Sequence, residues 1–426
     1  MKTPCLLLLI IVGFAEFSAG QTEFWHPPFD TTKPGSKQSV KRLSLDDAIQ
    51  LTASRSPFLK SLNLKHLVVR ERLRQAGLWS NPEMATEFEE VGWDARGLSE
   101  SEITISLSQE FQLFGKRGAN KELIRRELDL TQWQSRIAAF DLYETVKERF
   151  YTVAFAQRQV ELAIQAVELN DSISTTIEHR VQRGAALESE LLLAKLEFQR
   201  AQLSLLQAKA GLSTAVINLE ALWKGNSDDL SVIDPEFDIA PPFDSSSIIA
   251  AIDSSRNVNS LNNEKKILTA AANLARAEAR PNINLTGGFK RLESNRSNSF
   301  VFGLSMPLPF FDRNQGIVAS LEAQLRALDY EKEQSVLETK AEIQTAIKEL
   351  RQLLNRYELL ENKLIPQAET AYRSLRDAYL VGRISYPAML EGGRALIELQ
   401  FELNAAKLNI RSQRISIERI TGIILE

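Results

Sequence analysis

The side chains able to do chemistry in this 426-residue chain are few and scattered. Its three histidines, His26, His66 and His179, have neither the spacing of a metal pair nor that of a nucleophile–base set. Its one cysteine, Cys5, sits in the apolar N-terminal run, so no thiol nucleophile or zinc-thiolate cluster is available later in the chain. Gly287-Gly288 and Gly392-Gly393 lack the strand–GxGxxG–helix setting of a phosphate loop. The carboxylates alternate with Lys and Arg along helical stretches, the pattern of a solvated face. Lys+Arg number 51 against 55 Asp+Glu, which leaves no basic stripe for nucleic acid. The expectation is no enzyme, no cofactor, no resident metal and no nucleic-acid partner.

If no residue set does chemistry, the elements themselves must be the function. Residues 1–20 read as a signal peptide, with Lys2, an apolar run from Cys5 to Phe14, and small Ser18 and Gly20 before an expected cut at Gln21. Its removal takes Cys5 away, and no later cysteine offers a lipoprotein attachment site. Residues 21–43 read as an extended arm with Trp25, His26 and Pro27-Pro28. No later stretch approaches the apolar length of a membrane-spanning helix.

The rest is duplicated. Arg183-Gly184 precedes Val381-Gly382, Ser108–Arg117 precedes Ser305–Asn314, and Asn81-Pro82 precedes Arg280-Pro281, each by about 200 residues and in one order. The first repeat is 44–233, the second 247–426, and the Pro-rich junction 234–246 separates them.

Each repeat reads helix, strand, strand, very long helix, helix. Ser44 with Asp47 caps a first helix expected to run to about Trp79. The next should run unbroken from Lys116 to Val181, roughly 100 Å at 1.5 Å per residue, with a seam at Tyr143, Val146, Phe150, Val153, Val160, Ile164, Val167 and Ile177. Its partner carries Leu191, Ala194, Phe198, Ala201, Leu205 and onward to Leu222. A sustained 3.5-residue period specifies coiled coil. In the second repeat Pro366 should kink the long helix. The two shorter helices of a repeat together match the long one, so they should stack end to end along it.

Between helices lie segments of period two, expected as hairpins over 84–111 and 283–308. Ile103, Ile105, Leu107 and Phe111 alternate with Thr104, Ser106, Ser108 and Glu110, and Phe300, Phe302, Leu304 with Val301, Gly303, Ser305. About ten residues, apolar on one side and small or polar on the other, is the pattern of a membrane β-barrel strand. Four strands cannot close a barrel, and open edges are excluded in lipid. Three copies would give an even twelve strands. Trp79, Phe111, Phe114, Phe310 and Phe311 stand at the strand ends, where an aromatic girdle would lie. The fold class is therefore mostly α with a membrane β-barrel portion. From residues alone, a soluble coiled-coil protein and a periplasmic adaptor stay open, although an adaptor needs a compact β domain for which no further β-rich run exists.

With these features the chain resembles the TolC-like outer-membrane efflux proteins over nearly all of Leu43 to Gly422. Phe114–Ala119 (FGKRGA) and Pro307–Gly316 (PLPFFDRNQG) are similar to the strand-to-helix junctions of its cobalt–zinc–cadmium resistance branch. Pro307 and Pro309 would end the strand ladder, with Gly118 and Gly316 easing passage into the helix. The resemblance implies a homotrimer in the Gram-negative outer membrane, its helices a periplasmic tunnel and its role a passive exit duct. It implies a periplasmic adaptor and a proton-driven inner-membrane RND transporter as partners. Divalent metal cations are the implied cargo, with drug efflux or type I secretion as the rival.

The resemblance also implies a gate at the helix–helix turns, Arg180–Glu190 and Tyr379–Glu391. Arg183, Gly184, Val381 and Gly382 correspond to the adaptor-docking turns. Tyr379, Glu190, Glu391 and Arg383 correspond to gate positions, Arg383 one place before the family's arginine, where Ile384 stands. Ala388 replaces the other gate acid, so the family's detailed network does not carry over.

Overall fold

The computed structural model describes residues 42–90, 101–225, 230–233 and 255–422. The signal peptide, the arm up to residue 41 with His26, the junction 234–246 and the start of the second repeat lie outside them.

Chain order begins with β1 (Arg42–Leu43), α1 (Leu45–Arg55) and α2 (Pro57–Gln75). Ser44 and Asp47 form a reciprocal capping box, with Asp47 N–H donating to Ser44 Oγ at 3.2 Å and Ser44 N–H to Asp47 Oδ2 at 3.3 Å. The single first helix expected from Ser44 to Trp79 is instead two. Pro57 has no N–H to continue the ladder and holds Ser56 at ψ 123°, so one helix ends and another begins with Pro57 in its first turn.

Next come β2 (Glu83–Glu89), β3 (Glu102–Phe111) and α3 (Lys116–Gln182), continuous as its lack of Pro predicts. It is 67 residues, about 100 Å long. α2 packs on its first part and α4 (Glu188–Glu220) along its last, the end-to-end arrangement that the lengths require. On α4 the expected seam is the buried one, through Ala194, Ala201, Ala215 and Leu219. On α3 the expected seam holds at Val146, Phe150, Val153 and Ile177, but Ile164 is exposed, and Leu162, Ala163 and Ala166 are buried instead. α3 also meets two helices of the second repeat, so its buried stripe widens and shifts as its partners change.

The second repeat follows β4 (Ser231–Val232), which pairs in parallel with β1 in a two-stranded patch that the sequence reading missed. It comprises α5 (Arg256–Glu278), β5 (Ile283–Leu292), β6 (Ser297–Ser305), α6 (Gln315–Leu359), a π-helical turn (Leu360–Leu364), α7 (Ile365–Leu380) and α8 (Tyr386–Thr421). The expected break at Pro366 takes the form of that π turn. It lies just before the proline, where the ring displaces the carbonyl four residues back. α6 and α8 bury Ile343, Ala346, Leu350, Tyr357, Ile410 and Ile417, at the three-, four- and seven-residue steps of a coiled-coil seam.

The two hairpins join into one antiparallel sheet of order β2-β3-β5-β6. Register sets Ile105 opposite Phe289 and Phe289 opposite Phe300, and likewise Leu107, Gly287 and Phe302, so the apolar residues share one face. That face is uncovered in the protomer, with Phe302 84% and Phe300 76% exposed. The ladder stops at Ser305 rather than Leu308, two residues before Pro307. Gly118 and Gly316 are ordinary helical positions, where an added Cβ would meet nothing within 4 Å. The left-handed bends that turn the chain into α3 and α6 are at Phe114, Gly115 and Asn314. Asn314 tolerates φ 56° because its N–H donates to Asp312 Oδ1 (2.9 Å) and its side-chain amide to Ala275 O (3.0 Å).

Candidate functional site

The site is built at the end of the column opposite the sheet, where α3 turns into α4 and α7 into α8. Both turns close in the same way. Gly184 at φ 73° donates to Val181 O (2.9 Å) while Ala185 N–H reaches Arg180 O (2.8 Å). Gly382 at φ 74° donates to Tyr379 O (2.9 Å) while Arg383 N–H reaches Ala378 O (2.9 Å). This double bond pattern with a left-handed glycine satisfies the last carbonyls of each helix. Arg183 and Val381, each just before its glycine, are exposed at the apex.

Of the residues singled out from sequence, two meet. Tyr379 Oη donates to Glu190 Oε2 at 3.3 Å, joining the second repeat to the first. The Tyr379 ring is only 4% exposed, and burial first, then the Glu190 charge, pushes its phenol up to about 12. It therefore stays a donor at every physiological pH. Arg383 and Glu391 are exposed and stand apart from this pair. Arg180, which the sequence reading passed over, completes it. Its guanidinium lies 4.9 Å from the Tyr379 ring centroid and donates to Leu380 O at 2.9 Å. The signal was present: a cation in the last turn of α3 can satisfy carbonyls of a neighbouring helix end.

Above this pair the tyrosines continue at seven-residue steps, Tyr372, Tyr379 and Tyr386, around one buried cluster with Ile177, Ala194 and Met389. Gly393 faces the Tyr372 ring, and a Cβ there would come within 3.2 Å of it, so the glycine lets α7 and α8 approach. Among the described residues no group of three or more His, Cys, Asp or Glu stands together to hold a metal ion.

The profile of the outer membrane efflux protein family matches this chain twice, over 48–225 and 250–423. The chain belongs to that family. It is an outer-membrane efflux component. It is 26% identical over 389 residues to the cobalt-zinc-cadmium resistance protein CzcC of Cupriavidus metallidurans, covering 91% of each chain. It is 25% identical to the nickel-cobalt-cadmium resistance protein NccC of Alcaligenes xylosoxydans xylosoxydans, over 58% of this chain and 57% of that one. Among solved structures it superposes on CusC with a TM-score of 0.76 at 17% identity, covering 88% and 91% of the two chains. On VceC of Vibrio cholerae the TM-score is 0.73 at 18% identity, covering 90% and 97%. These likenesses fix the TolC-like fold of the efflux protein.

At the sheet end, the outward apolar face is flanked by exposed Trp79, Phe114, Phe310 and Phe311. The opposite face is polar. On it Lys290 pairs with both Glu89 and Glu102. His66 donates or accepts with Gln132 at 2.9 Å between α2 and α3, and His179 is exposed.

Proposed function

We propose that this efflux protein is the outer-membrane exit duct for divalent heavy-metal cations. It works as a homotrimer whose sheets join into one twelve-stranded barrel and whose helices form a periplasmic tunnel. The observation that carries this reading is the sheet. It is apolar on its uncovered face, polar on the other, and both β2 and β6 leave an edge unpaired in the protomer. Lipid tolerates no open edge, so further copies must supply the missing strands. α4 supports the same assembly, because Leu192, Leu196, Leu203 and Leu206 form a second apolar stripe, exposed and off the buried seam.

The metal cargo rests on the names of CzcC and NccC. The duct is passive; a periplasmic adaptor docks on the turns at Arg183-Gly184 and Val381-Gly382, and an inner-membrane RND transporter supplies the energy. Tyr379 and Glu190 hold the tip closed, and Glu391 and Arg383 set the charge around it. Mass measurement of the detergent-extracted protein tests the assembly, and a stable monomer overturns it. Complementation of a metal-sensitive strain tests the cargo: restored tolerance to cobalt, zinc or cadmium supports it, and restored tolerance to organic drugs alone assigns the duct to drug efflux.

A further inference from the structure

At both strand-to-helix junctions aromatic and basic residues stand side by side, Phe114-Gly115-Lys116-Arg117 at the start of α3 and Phe310-Phe311-Asp312-Arg313 before α6. Nothing at the turn end of the column uses them. The guanidinium of Arg117 lies over the Trp79 ring, 4.0 Å from its centroid, and that of Arg280 over the Phe114 ring at 5.4 Å. Trp79 in turn meets Phe111 edge to face, centroids 6.1 Å apart. Phe111 pairs with Ile283 at the last rung between β3 and β5, on the same face as Leu107 and Ile105. A cation, an indole and a phenyl ring therefore run from the helix end to the uncovered apolar face of the sheet.

The two arginines differ from the helix bases beyond the junction in having no acid. Arg126 pairs with Glu122 at 2.7 Å, Arg72 with Glu127 at 3.0 Å and Arg276 with Glu322 at 2.7 Å. Among the described residues neither Arg117 nor Arg280 has a carboxylate within ion-pair distance. The acids at their level are engaged elsewhere. Glu110 accepts from Ser80 Oγ at 3.3 Å and from Asn282 Nδ2 at 2.7 Å, Asp312 Oδ1 accepts from Asn314 N–H, and Glu278 acts on Lys116. Arg313 is spent on its own loop, with Nε donating to Pro309 O at 3.1 Å. A guanidinium held by its flat face keeps its in-plane N–H donors free for a forked contact with an oxyanion. Depth selects the oxyanion: exposed Trp and Phe at the rim of a lipid-facing surface sit at headgroup level. The anion concentrated at that level is the phosphodiester of a phospholipid.

We propose that Arg117 on Trp79 and Arg280 on Phe114 form a binding site for phospholipid phosphate at the helix-side rim of the sheet. This rests on the reading of the apolar sheet face as lipid-facing, and the experiment separates the two. The full-length protein is purified in detergent and mixed with dioleoyl phosphatidylglycerol, and native mass spectrometry counts the lipid it retains. Dioleoylglycerol, with the same chains and no phosphate, and inorganic phosphate are run alongside. Phosphatidylglycerol should be retained and dioleoylglycerol lost. Arg117→Gln with Arg280→Gln should weaken retention at least about tenfold, the worth of a charge-assisted bond. Lysine at both positions keeps the charge without the fork and should fall between parent and glutamine pair. Equal retention of the two lipids overturns the site, and so does retention that the glutamine pair leaves unchanged. Displacement of the lipid by inorganic phosphate makes this a site for the free ion and overturns the lipid assignment. Detergent mass and melting temperature accompany each variant. Should the glutamine pair fail to assemble, Arg117→Lys alone must lower retention, and parental retention there overturns the proposal. Release of the protein from membranes without detergent sinks the lipid-facing sheet itself. A detergent-requiring protein that holds both lipids alike loses only the headgroup site.

Discussion

The two repeats are joined by charge at two heights, and the junctions are built differently. Midway along α3, Lys147 donates to Glu418 near the end of α8 and lies 3.5 Å from Glu144. All three are buried, Glu144 completely and Glu418 to 1% exposure. Around them Arg256 grips Asp141 with two 2.7 Å bonds and Arg419 reaches Glu148 at 2.9 Å. At the tip, by contrast, the links are a 3.3 Å phenol–carboxylate bond from Tyr379 to Glu190 and a 2.9 Å bond from Arg180 to Leu380 O, with Arg383 and Glu391 exposed and apart from them. A buried ion cluster is costly to break because each partner left behind has no water to turn to. A part-buried bond from a neutral phenol, with Glu190 partly open to water, costs less to break than a fully buried ion cluster. The middle of the column is therefore fastened more firmly than the tip, the distribution that the proposed gate at the turn end calls for.

Lys147→Met strikes this contrast hardest. It leaves the Glu418 carboxylate buried without its cation and should cost about 3–5 kcal/mol of folded-state stability. Denaturant unfolding in detergent measures it. A loss no larger than that of Tyr379→Phe would erase the distinction between the two junctions.

Glu144→Gln sharpens the contrast by pH. Burial, then the Glu418 carboxylate, pushes the Glu144 carboxyl from its ordinary 4.5 up to about 8. The folded protein therefore keeps a proton that the unfolded chain has released above 4.5. Stability should fall as pH rises through this window and level off above about 8. Glutamine is isosteric with the protonated acid, so the variant should lose this slope and be more stable than the parent at neutral pH. Melting temperatures of both proteins from pH 4 to 9, values on the order of the titration range, decide it; parallel curves place the proton elsewhere.

Tyr379→Phe tests the weaker end. Removing one bond to a charged acceptor should shift closure by about 1.5–3 kcal/mol while leaving the ring packing intact. Resting conductance should rise with little change in melting temperature. Unchanged conductance would mean that the tip is held by other contacts.

How much of this was legible in sequence depended on how many partners each element has. α4 faces essentially one buried seam, so its heptad of Leu and Ala gave the buried positions directly. α3 changes partners along its length, so a single period could not place Leu162 or Ala163. Strand alternation gave the exposed face of the sheet, because Ile105, Leu107 and Phe302 need only the pleat to determine their side. Pro57 is visible in the sequence, but a proline fits the first turn of a new helix as well as a kink within one, and the extended Ser56 decides between them. Charges were the least legible. Glu144, Lys147 and Glu418 look like any other polar positions on a helix, and only the fold brings residues 271 apart into contact. The same holds for Glu197 with Arg394, although the seven-residue step from Glu190 to Glu197 marked a common face. Tyr379 with Glu190 came from resemblance to the family, not from spacing.

The smallest effect is expected at Glu391, and its smallness is informative. The side chain is exposed, and its field acts on Arg394, whose guanidinium is held charged first by Glu197 and only weakly by Glu391. A surface charge in such a position contributes at most about 1 kcal/mol, so Glu391→Gln should alter neither melting temperature nor resting conductance. In a trimer, however, the charge is repeated around the passage, and a ring of carboxylates favours cations. The reversal potential in a potassium chloride gradient should therefore move toward zero in Glu391→Gln. A fixed reversal potential would turn Glu391 away from the passage. A rise in resting conductance would instead make it part of the closure, and the tip would then be held by charge as the middle of the column is.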